Sequence, residues 1–206
     1  MSVKPILFNT DMVKAILDGK KICTRRKIPT DIVDYCDVET DGSLLSYENH
    51  YGDFIKPEEL CQYQPGDILY VRETWCKGLE RYIYRADYSD AEKFYRDGKE
   101  INMKWHPSLH MPKEAARLFL RVTNVRVERL QDITEDGAKA EGAIDNRGFI
   151  HSSDNEYDRI HTAKENFIEI WNRTIKKSDL DFYGWDANPY VWVIEFERCD
   201  KPESEG

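Results

Sequence analysis

The chain has 206 residues, of which 40% are hydrophobic and 12% aromatic, a composition that argues against disorder and fits a globular protein with its own core. Its formal net charge of -9 at pH 7 argues against non-specific binding of polyanions over a broad surface, because such binding depends on Lys and Arg side chains that neutralise phosphates. A local basic patch stays open. Since chains of this length usually form one domain, we expect a single domain over residues 1–198 and a polar tail over residues 199–206.

The five cysteines favour a reducing compartment. They are odd in number and widely spaced, and no two form a CxxC pair, so neither a disulfide framework nor a zinc site is predicted. The first residues lack the apolar core of a signal peptide, and no stretch approaches the roughly 20 apolar residues of a membrane helix. We therefore expect a cytoplasmic protein with no membrane partner, no metal and no cofactor; the oligomeric state stays open.

The first third of the chain predicts a strand, a helix and a second strand. Residues 6–8 form a short apolar strand signal, and Asn9 or Thr10 can cap a helix over residues 10–18. The predicted apolar face of this helix consists of Met12, Val13, Ile16 and Leu17. Gly19 ends the helix, and the cation-rich residues 20–28 leave it as a strand. Residues 31–62 are irregular and are interpreted as an insertion.

The middle of the chain predicts a turn followed by a buried strand. Pro65-Gly66-Asp67 is typical of a turn, and the apolar strand at residues 68–71 delivers Glu73 just beyond its end. Another strand is predicted at residues 82–86. Residues 88–112 are polar and contain two prolines, so they are interpreted as a second insertion that is mostly loop, with a short helix at residues 91–96 as the alternative.

The last part of the chain predicts two more strands and two helices. Residues 118–130 alternate apolar and polar positions as a long strand, and residues 190–196 form the final one. Helices are predicted at residues 134–140 and 163–175, and the charges at residues 128–141 are interpreted as a solvated face. Five or six short strands with a few helices between them favour an α+β fold built on a small mixed β-barrel.

Three segments together resemble the ASCH family, a branch of the PUA-like barrels. The similarity in order and spacing covers residues 4–197, and uncharacterised ASCH-like proteins of phages and prophages are the most similar members. The three segments are Ile16-Leu17-Asp18-Gly19-Lys20-Lys21-Ile22-Cys23-Thr24-Arg25-Arg26, then Pro65-Gly66-Asp67 with its strand to Glu73, and Ile133-Thr134 to Glu141-Gly142-Ala143. The resemblance implies a PUA-like barrel with flanking helices. The compact enzymes of the family are about half as long as this chain and have no counterpart of residues 31–62 and 88–112. These two insertions are expected to reshape or cover the cleft and so to affect which substrate fits it.

Two functional classes follow from the resemblance. Small bacterial members are amidohydrolases of N(4)-acetylcytidine that use a Lys, a Thr and a Glu, which are Lys21, Thr24 and Glu73 in this sequence. Other members are nucleic-acid-binding modules that use the cleft beside the same element. The resemblance thus implies either an amidohydrolase of an N-acylated pyrimidine nucleoside or base, or a module that binds single-stranded RNA or a modified nucleobase without catalysis. A nuclease ranks last, because the sequence has no recognisable acid cluster.

The three residues also make chemical sense as a catalytic set. A Thr hydroxyl becomes a nucleophile when a neighbouring base takes its proton, and a Lys with a lowered pKa can be that base. Glu73 is expected to orient the Lys or to carry the proton to the leaving nitrogen. Further substrate-binding residues are expected at Lys20, Arg25, Arg26, Trp75 and His110. A closed pocket at Thr24 would favour a nucleoside, and a continuous basic track would favour a polymer.

Overall fold

A computed structural model gives the structure of residues 2–34, 36–40, 43–48, 53–78, 80–89, 91–96, 99–151 and 156–203. Parts of both predicted insertions and the last three residues of the predicted tail lie outside these ranges. The fold is mixed α+β, with one five-stranded sheet, several short hairpins and a few helices.

The regular elements of the described residues are numbered here in chain order. The α-helices are α1 (Thr10–Leu17), α2 (Thr30–Val33), α3 (Glu135–Ala140), α4 (Ala163–Thr174) and α5 (Leu180–Tyr183). The strands are β1 (Val3–Leu7), β2 (Cys23–Lys27), β3 (Cys36–Val38), β4 (Leu44–Glu48), β5 (Phe54–Ile55), β6 (Ile68–Arg72), β7 (Trp75–Lys77), β8 (Tyr82–Tyr84), β9 (Phe94–Arg96), β10 (Lys99–Ile101), β11 (Phe119–Arg129), β12 (Asn146–His151), β13 (Glu156–His161) and β14 (Tyr190–Cys199).

The main sheet has the strand order β1-β6-β11-β14-β2. Strands β1 and β6 run parallel, and the other neighbouring pairs are antiparallel. The expected closed barrel is not shown, because β1 and β2 are the outer strands and no ladder joins them within the described residues. The two edges do meet through a side chain: Arg26 Nη2 on β2 donates a hydrogen bond of 3.2 Å to the Leu7 carbonyl oxygen on β1.

Strand β14 is buried on both faces of the sheet over its first five residues, and its alternation assigns those residues to two sides. Trp192, Ile194 and Phe196 belong to one hydrophobic cluster, which also contains Ile6, Phe8, Leu69, Val71 and Leu120. Val191 and Val193 point the other way, into a second cluster with residues of α3 and α4, namely Ala138, Phe167 and Trp171. We call the first of these sides the inner face and the second the helix face. A central strand buried on both sides has a continuous apolar sequence, as this one does.

Helix α1 forms where the sequence predicts it. The Asn9 side chain accepts a hydrogen bond from the Met12 amide at 2.8 Å, which confirms the predicted N-cap. Val13 and Ile16 are buried in the inner cluster, and Met12 and Leu17 pack against it partly exposed. The helix is followed by Gly19 at φ +71°, a left-handed conformation that favours glycine.

Residues 88–112 differ from the sequence prediction. They contain the hairpin of β9 and β10, so the alternative of a short helix at residues 91–96 is wrong. The physical reason is aromatic packing: Phe94 lies with its ring centroid 4.9 Å from Tyr88 and 5.9 Å from Trp105. Aromatic residues favour extended backbone, and packing between their rings stabilises a small hairpin.

The predicted turn at residues 65–67 is held by one carboxylate. Gly66 adopts φ +89°, and Asp67 accepts hydrogen bonds from the Gln64 amide, the Ser2 amide and hydroxyl, and Lys4 Nζ at 2.6 to 3.0 Å. Burial alone would raise the pKa of Asp67, but these donors outweigh it and hold the pKa well below its ordinary range. Asp67 therefore ties the start of β1 to the start of β6.

We expect Asp67→Asn to lower the free energy of unfolding by roughly 2 kcal/mol at pH 7, because charge-assisted hydrogen bonds contribute about 1.5 to 3 kcal/mol. Because the pKa is depressed in the folded state, this stability is present above the ordinary pKa of 3.8 and declines as the pH falls below it. Urea unfolding at pH 7 and pH 3 measures both effects. The exposed Asp200→Asn is the control, and equal effects of the two changes at pH 7 would contradict the prediction.

Candidate functional site

The segment that carries Lys21 and Thr24 is fixed by the end of α1 and the start of β2. The amides of Lys20 and Lys21 both donate to the Ala15 carbonyl, which closes the helix end. The chain then pairs with β14, where Thr24 lies opposite Ile194 and Arg25 opposite Val193. Thr24 therefore belongs to the inner face and Arg25 to the helix face, since residues directly opposite across a ladder share a face.

Lys21 is buried and fully engaged. Its Nζ donates to Glu141 Oε2 at 2.6 Å, to the Glu141 carbonyl oxygen at 2.8 Å and to the Cys23 carbonyl oxygen at 2.8 Å. An ammonium group has three donors, so all three are satisfied. The side chains of Lys21 and Glu141 are 0% and 5% exposed, which makes this a buried ion pair.

The residue after Glu141 explains how α3 comes so close to Lys21. Gly142 has φ +90°, and a Cβ atom there would lie 2.9 Å from the Ala15 Cβ and 3.3 Å from the Lys21 Cβ. Only glycine fits both the backbone conformation and the space. The Glu141-Gly142 pair of the third sequence segment therefore serves to bring a carboxylate onto Lys21.

Arg25 extends the ion pair into a network on the helix face. Its Nη1 lies 3.2 Å from Glu141 Oε1, and its Nε and Nη2 donate to Glu128 Oε1 at 2.8 and 2.6 Å. Arg126 binds the other oxygen of Glu128 at 3.2 Å. The interpretation of residues 128–141 as a solvated face is therefore wrong for Glu128 and Glu141, because both carboxylates neutralise a buried guanidinium. Arg25 is in turn not free to bind a phosphate.

Thr24 and Arg26 are the polar residues of this region that keep unused hydrogen-bonding capacity. No described residue forms a hydrogen bond with the Thr24 hydroxyl, and Arg26 has no carboxylate partner among the described residues. Burial lowers the pKa of Arg26 from its ordinary value. Thr24, Arg26 and Glu141 line one cavity of about 30 Å³, together with residues of α1 and α4. That is room for about one or two water molecules.

Glu73 has a different ionic partner. It is 1% exposed, and Arg117 binds it through both oxygens, with Nε to Oε1 at 2.9 Å and Nη2 to Oε2 at 3.0 Å. Arg117 also pairs with Asp87 at 2.7 Å and lies 4.0 Å from the Tyr84 ring centroid. Burial raises the pKa of Glu73, and Arg117 opposes that rise. Arg117 is thus the ionic partner of Glu73.

Phe8 lies between the two ionic clusters. Its amide donates to the Arg72 carbonyl at 3.2 Å, next to Glu73, and its ring centroid is 5.4 Å from Lys21 Nζ and 5.6 Å from Arg26 Cζ. Glu73 lies one residue beyond the end of β6, and its side-chain partner is Arg117. The carboxylate in contact with Lys21 is Glu141 rather than Glu73.

The remaining predicted binding residues lie away from the cavity at Thr24. Lys20 is exposed and pairs with Asp18 at 3.0 Å. Trp75 packs against Tyr82 and His106, with ring centroids 5.5 and 5.0 Å apart, and its buried indole N–H has no described acceptor. His110 is exposed in a short 3-10 turn, Ser108–His110. It precedes Met111, whose sulfur lies 3.2 Å from the Glu73 amide nitrogen.

Three further observations concern other chemistries. Burial raises the pKa of the Cys23 thiol to about 11, with Glu141 adding to the effect, so the thiol stays protonated at neutral pH. Among the described residues, no group of three or more His, Cys, Asp or Glu side chains could hold a metal ion. The described helices include none that is both long and apolar enough to span a bilayer.

Comparisons with known proteins add little. The crystal structure of protein EF3133 from Enterococcus faecalis V583, described by the family model DUF984, is similar to this chain. The TM-score is 0.43 and the sequence identity 10%, over 97% of this chain and 77% of that one. No family model and no curated protein matches the sequence. A TM-score this low supports no functional argument, so the function is argued from the site.

Sequence reasoning missed the carboxylates and the Arg that complete the site. Glu141 could have been identified as a site residue, because it belongs to one of the three segments that carry the family resemblance and immediately precedes Gly142. Glu128 and Arg117 have no such neighbouring signal in the sequence. Glu128 is one of several charged residues in the strand predicted at residues 118–130, and Arg117 immediately precedes that strand. Their roles depend on the register of β11 and on packing across the sheet, which local patterns do not specify.

Proposed function

We propose that the protein is an amidohydrolase that cleaves an N-acylated pyrimidine nucleoside or base, such as N(4)-acetylcytidine, at the cavity beside Thr24. The observation that carries the proposal is a hydroxyl with no described partner and a guanidinium with no described carboxylate, next to a buried Lys–Glu pair. Thr24 and Arg26 line the cavity, and Glu141 connects it to Lys21. A nucleophile, a donor for a developing oxyanion and a proton acceptor are the parts that acyl transfer needs.

The proton acceptor in this proposal is Glu141, held in place by Lys21. The Lys21 ammonium has no lone pair, and all three of its hydrogens are donated, so it cannot accept another proton. Glu141 lines the same cavity as Thr24, so its carboxylate takes the proton from the Thr24 hydroxyl, while Lys21 Nζ, 2.6 Å from Glu141 Oε2, stabilises its charge. Glu141 thereby takes over the proton-transfer role that the sequence assigned to Glu73.

The bonds balance over two steps. The Thr24 oxygen forms an ester with the acyl carbon as the C–N bond breaks, and the proton held by the Lys21–Glu141 pair goes to the leaving nitrogen. Water then hydrolyses the ester and returns the hydrogen to Thr24, which releases a carboxylic acid. Arg26 donates to the carbonyl oxygen while it carries negative charge. Glu73, held by Arg117, is assigned to orienting the substrate.

The size and charge of the surroundings support a small uncharged substrate rather than a polymer. The cavity is narrow, so it suits the acyl group, with the pyrimidine ring outside it. Lys20 pairs with Asp18, and Arg25 pairs with Glu128 and Glu141, so two of the three cations expected to bind substrate are neutralised. RNA binding at this cleft is the alternative. Membership of the ASCH family, closure of the sheet into a PUA-like barrel and a cytoplasmic location belong to the same proposal.

The test is hydrolysis of a panel of N-acylated cytidines and cytosines, followed by chromatography of the products. We expect the wild type to release the amine and the acid, and Thr24→Val to lose kcat/KM by a factor on the order of 100 or more. The exposed Thr123→Val on β11 is the matched control and should keep full activity. Retained activity in Thr24→Val would make water the nucleophile, and no hydrolysis by the wild type would overturn the proposal.

A further inference from the structure

A second, larger pocket lies between the hairpin of β7 and β8 and the hairpin of β9 and β10. Its volume is about 770 Å³, within the range of small-molecule sites, which is ~300 to 1,000 Å³. The turn that forms one side is tight: the Gly78 amide donates to the Arg81 carbonyl at 2.9 Å, and a Cβ on Gly78 would lie 2.7 Å from that oxygen. Gly78 therefore holds Lys77 and Arg81 at the same rim.

The rim of this pocket is basic although the chain as a whole is acidic. Lys77 and Arg81 line it from the hairpin of β7 and β8, and Lys104 lines it from the segment after β10, against one carboxylate, Glu80. All three cations are exposed, and none forms an ion pair with a carboxylate of the described residues. The local charge is therefore about +2 in a protein of net charge -9. This is the local basic patch that the overall charge left open, and it does not coincide with β2.

The wall of the pocket is aromatic and apolar. Tyr95 is 62% exposed, Phe94 lies beside it, and Ile83, Ile101 and Met103 complete the surface. An exposed aromatic ring beside unpaired cations suits a planar base that carries a phosphate, because the ring stacks on the base while Lys and Arg neutralise the phosphate. An acidic peptide would use the cations but leave the aromatic wall without a partner.

We propose that this pocket binds a nucleotide unit, with the base on Tyr95 and the phosphate on Lys77, Arg81 and Lys104. The unit comes either from a free nucleotide or from single-stranded nucleic acid, which share this chemistry. The site is separate from the cavity at Thr24, since the two sets of lining residues have no member in common. The proposal does not depend on amide hydrolysis and stands or falls by itself.

The test is binding to a fluorescein-labelled decathymidylate, measured by anisotropy at several salt concentrations, and to thymidine monophosphate, measured by calorimetry. We expect Tyr95→Ala to weaken binding roughly tenfold through lost stacking, and Tyr95→Phe to bind like the wild type. The double variant Lys77→Ala/Lys104→Ala should weaken binding and reduce the slope of log K against log salt by about 1.4, or ~0.7 per phosphate contact on a single strand.

The matched control is Lys56→Ala/Lys201→Ala, which removes the same charge from exposed positions outside the pocket. It should bind like the wild type. Binding of the decamer alone would identify the source as single-stranded nucleic acid, and equal binding of the monophosphate would identify it as a free nucleotide. The proposal is overturned if neither ligand binds, or if the control double variant loses as much affinity as the pocket variants.

Discussion

Replacing Glu141 by Gln is expected to lower the free energy of unfolding by about 3 to 5 kcal/mol, the usual cost of breaking a buried ion pair from one side. Lys21 and Arg25 both use this carboxylate, and their side chains are 0% and 2% exposed. Both side chains are removed from bulk water, so hydration replaces little of the lost charge. Glu128 would still neutralise Arg25, so the largest part of the penalty falls on Lys21.

Urea unfolding at pH 7 measures this effect, with Glu195→Gln as the control. Glu195 pairs with Arg126, but both side chains are about 40% exposed, so the control should lose less than about 1 kcal/mol. A second variant, Lys21→Met/Glu141→Leu, should be more stable than Glu141→Gln, because it removes both charges of the pair. A loss below about 1 kcal/mol in Glu141→Gln would contradict the assignment of this pair as buried.

The same pair limits which variants can test catalysis. Lys21→Met keeps the side-chain volume, and from the sequence it is expected to leave the fold intact. In the structure it would leave Glu141 as a buried carboxylate with one cation fewer, so it is expected to lose stability as well as activity. Thr24→Val disturbs no described hydrogen bond, which makes it the cleaner probe of the proposed nucleophile.

Local patterns predicted the elements whose causes are local. Helix α1 was predictable because its cap at Asn9, its apolar spacing and its terminating Gly19 all lie within a dozen residues. The turn at residues 65–67 and the strand behind it were predictable for the same reason. The hairpin of β9 and β10 was not predictable from local patterns. Phe94 is held there by packing against Tyr88 and Trp105, and the polar composition of this segment gives no sign of that packing.

Sequence patterns singled out Lys21, Thr24 and Glu73 but did not indicate their ionic partners. All three side chains are buried. Glu141, the partner of Lys21, follows α3 and lies 120 positions along the chain. Arg117, the partner of Glu73, lies 44 positions along the chain. Such contacts depend on how the sheet curves and on which helix packs against it, and no periodicity within one segment records that.

The Glu73–Arg117 pair leads to a prediction that depends on pH. Arg117→Met removes the bidentate partner of a carboxylate that is 1% exposed, so we expect a loss of about 3 to 5 kcal/mol at pH 8. Burial already raises the pKa of Glu73, and without Arg117 the pKa rises further. Because the folded pKa then lies above the unfolded one, the penalty is complete above the folded pKa and shrinks as the pH falls toward the ordinary value of 4.5.

Urea unfolding of Arg117→Met from pH 5 to pH 8, each compared with the wild type at the same pH, measures this dependence. The variant should come closest to the wild type at the lowest pH, because protonation of Glu73 removes the buried charge that has lost its partner. In Glu73→Gln/Arg117→Met the carboxylate is absent, so its difference from the wild type should vary much less with pH. Arg121→Met, which breaks an exposed pair with Glu197, should cost less than about 1 kcal/mol throughout. A penalty in Arg117→Met that stays constant or grows toward pH 5 would mean that Glu73 is not the group that titrates.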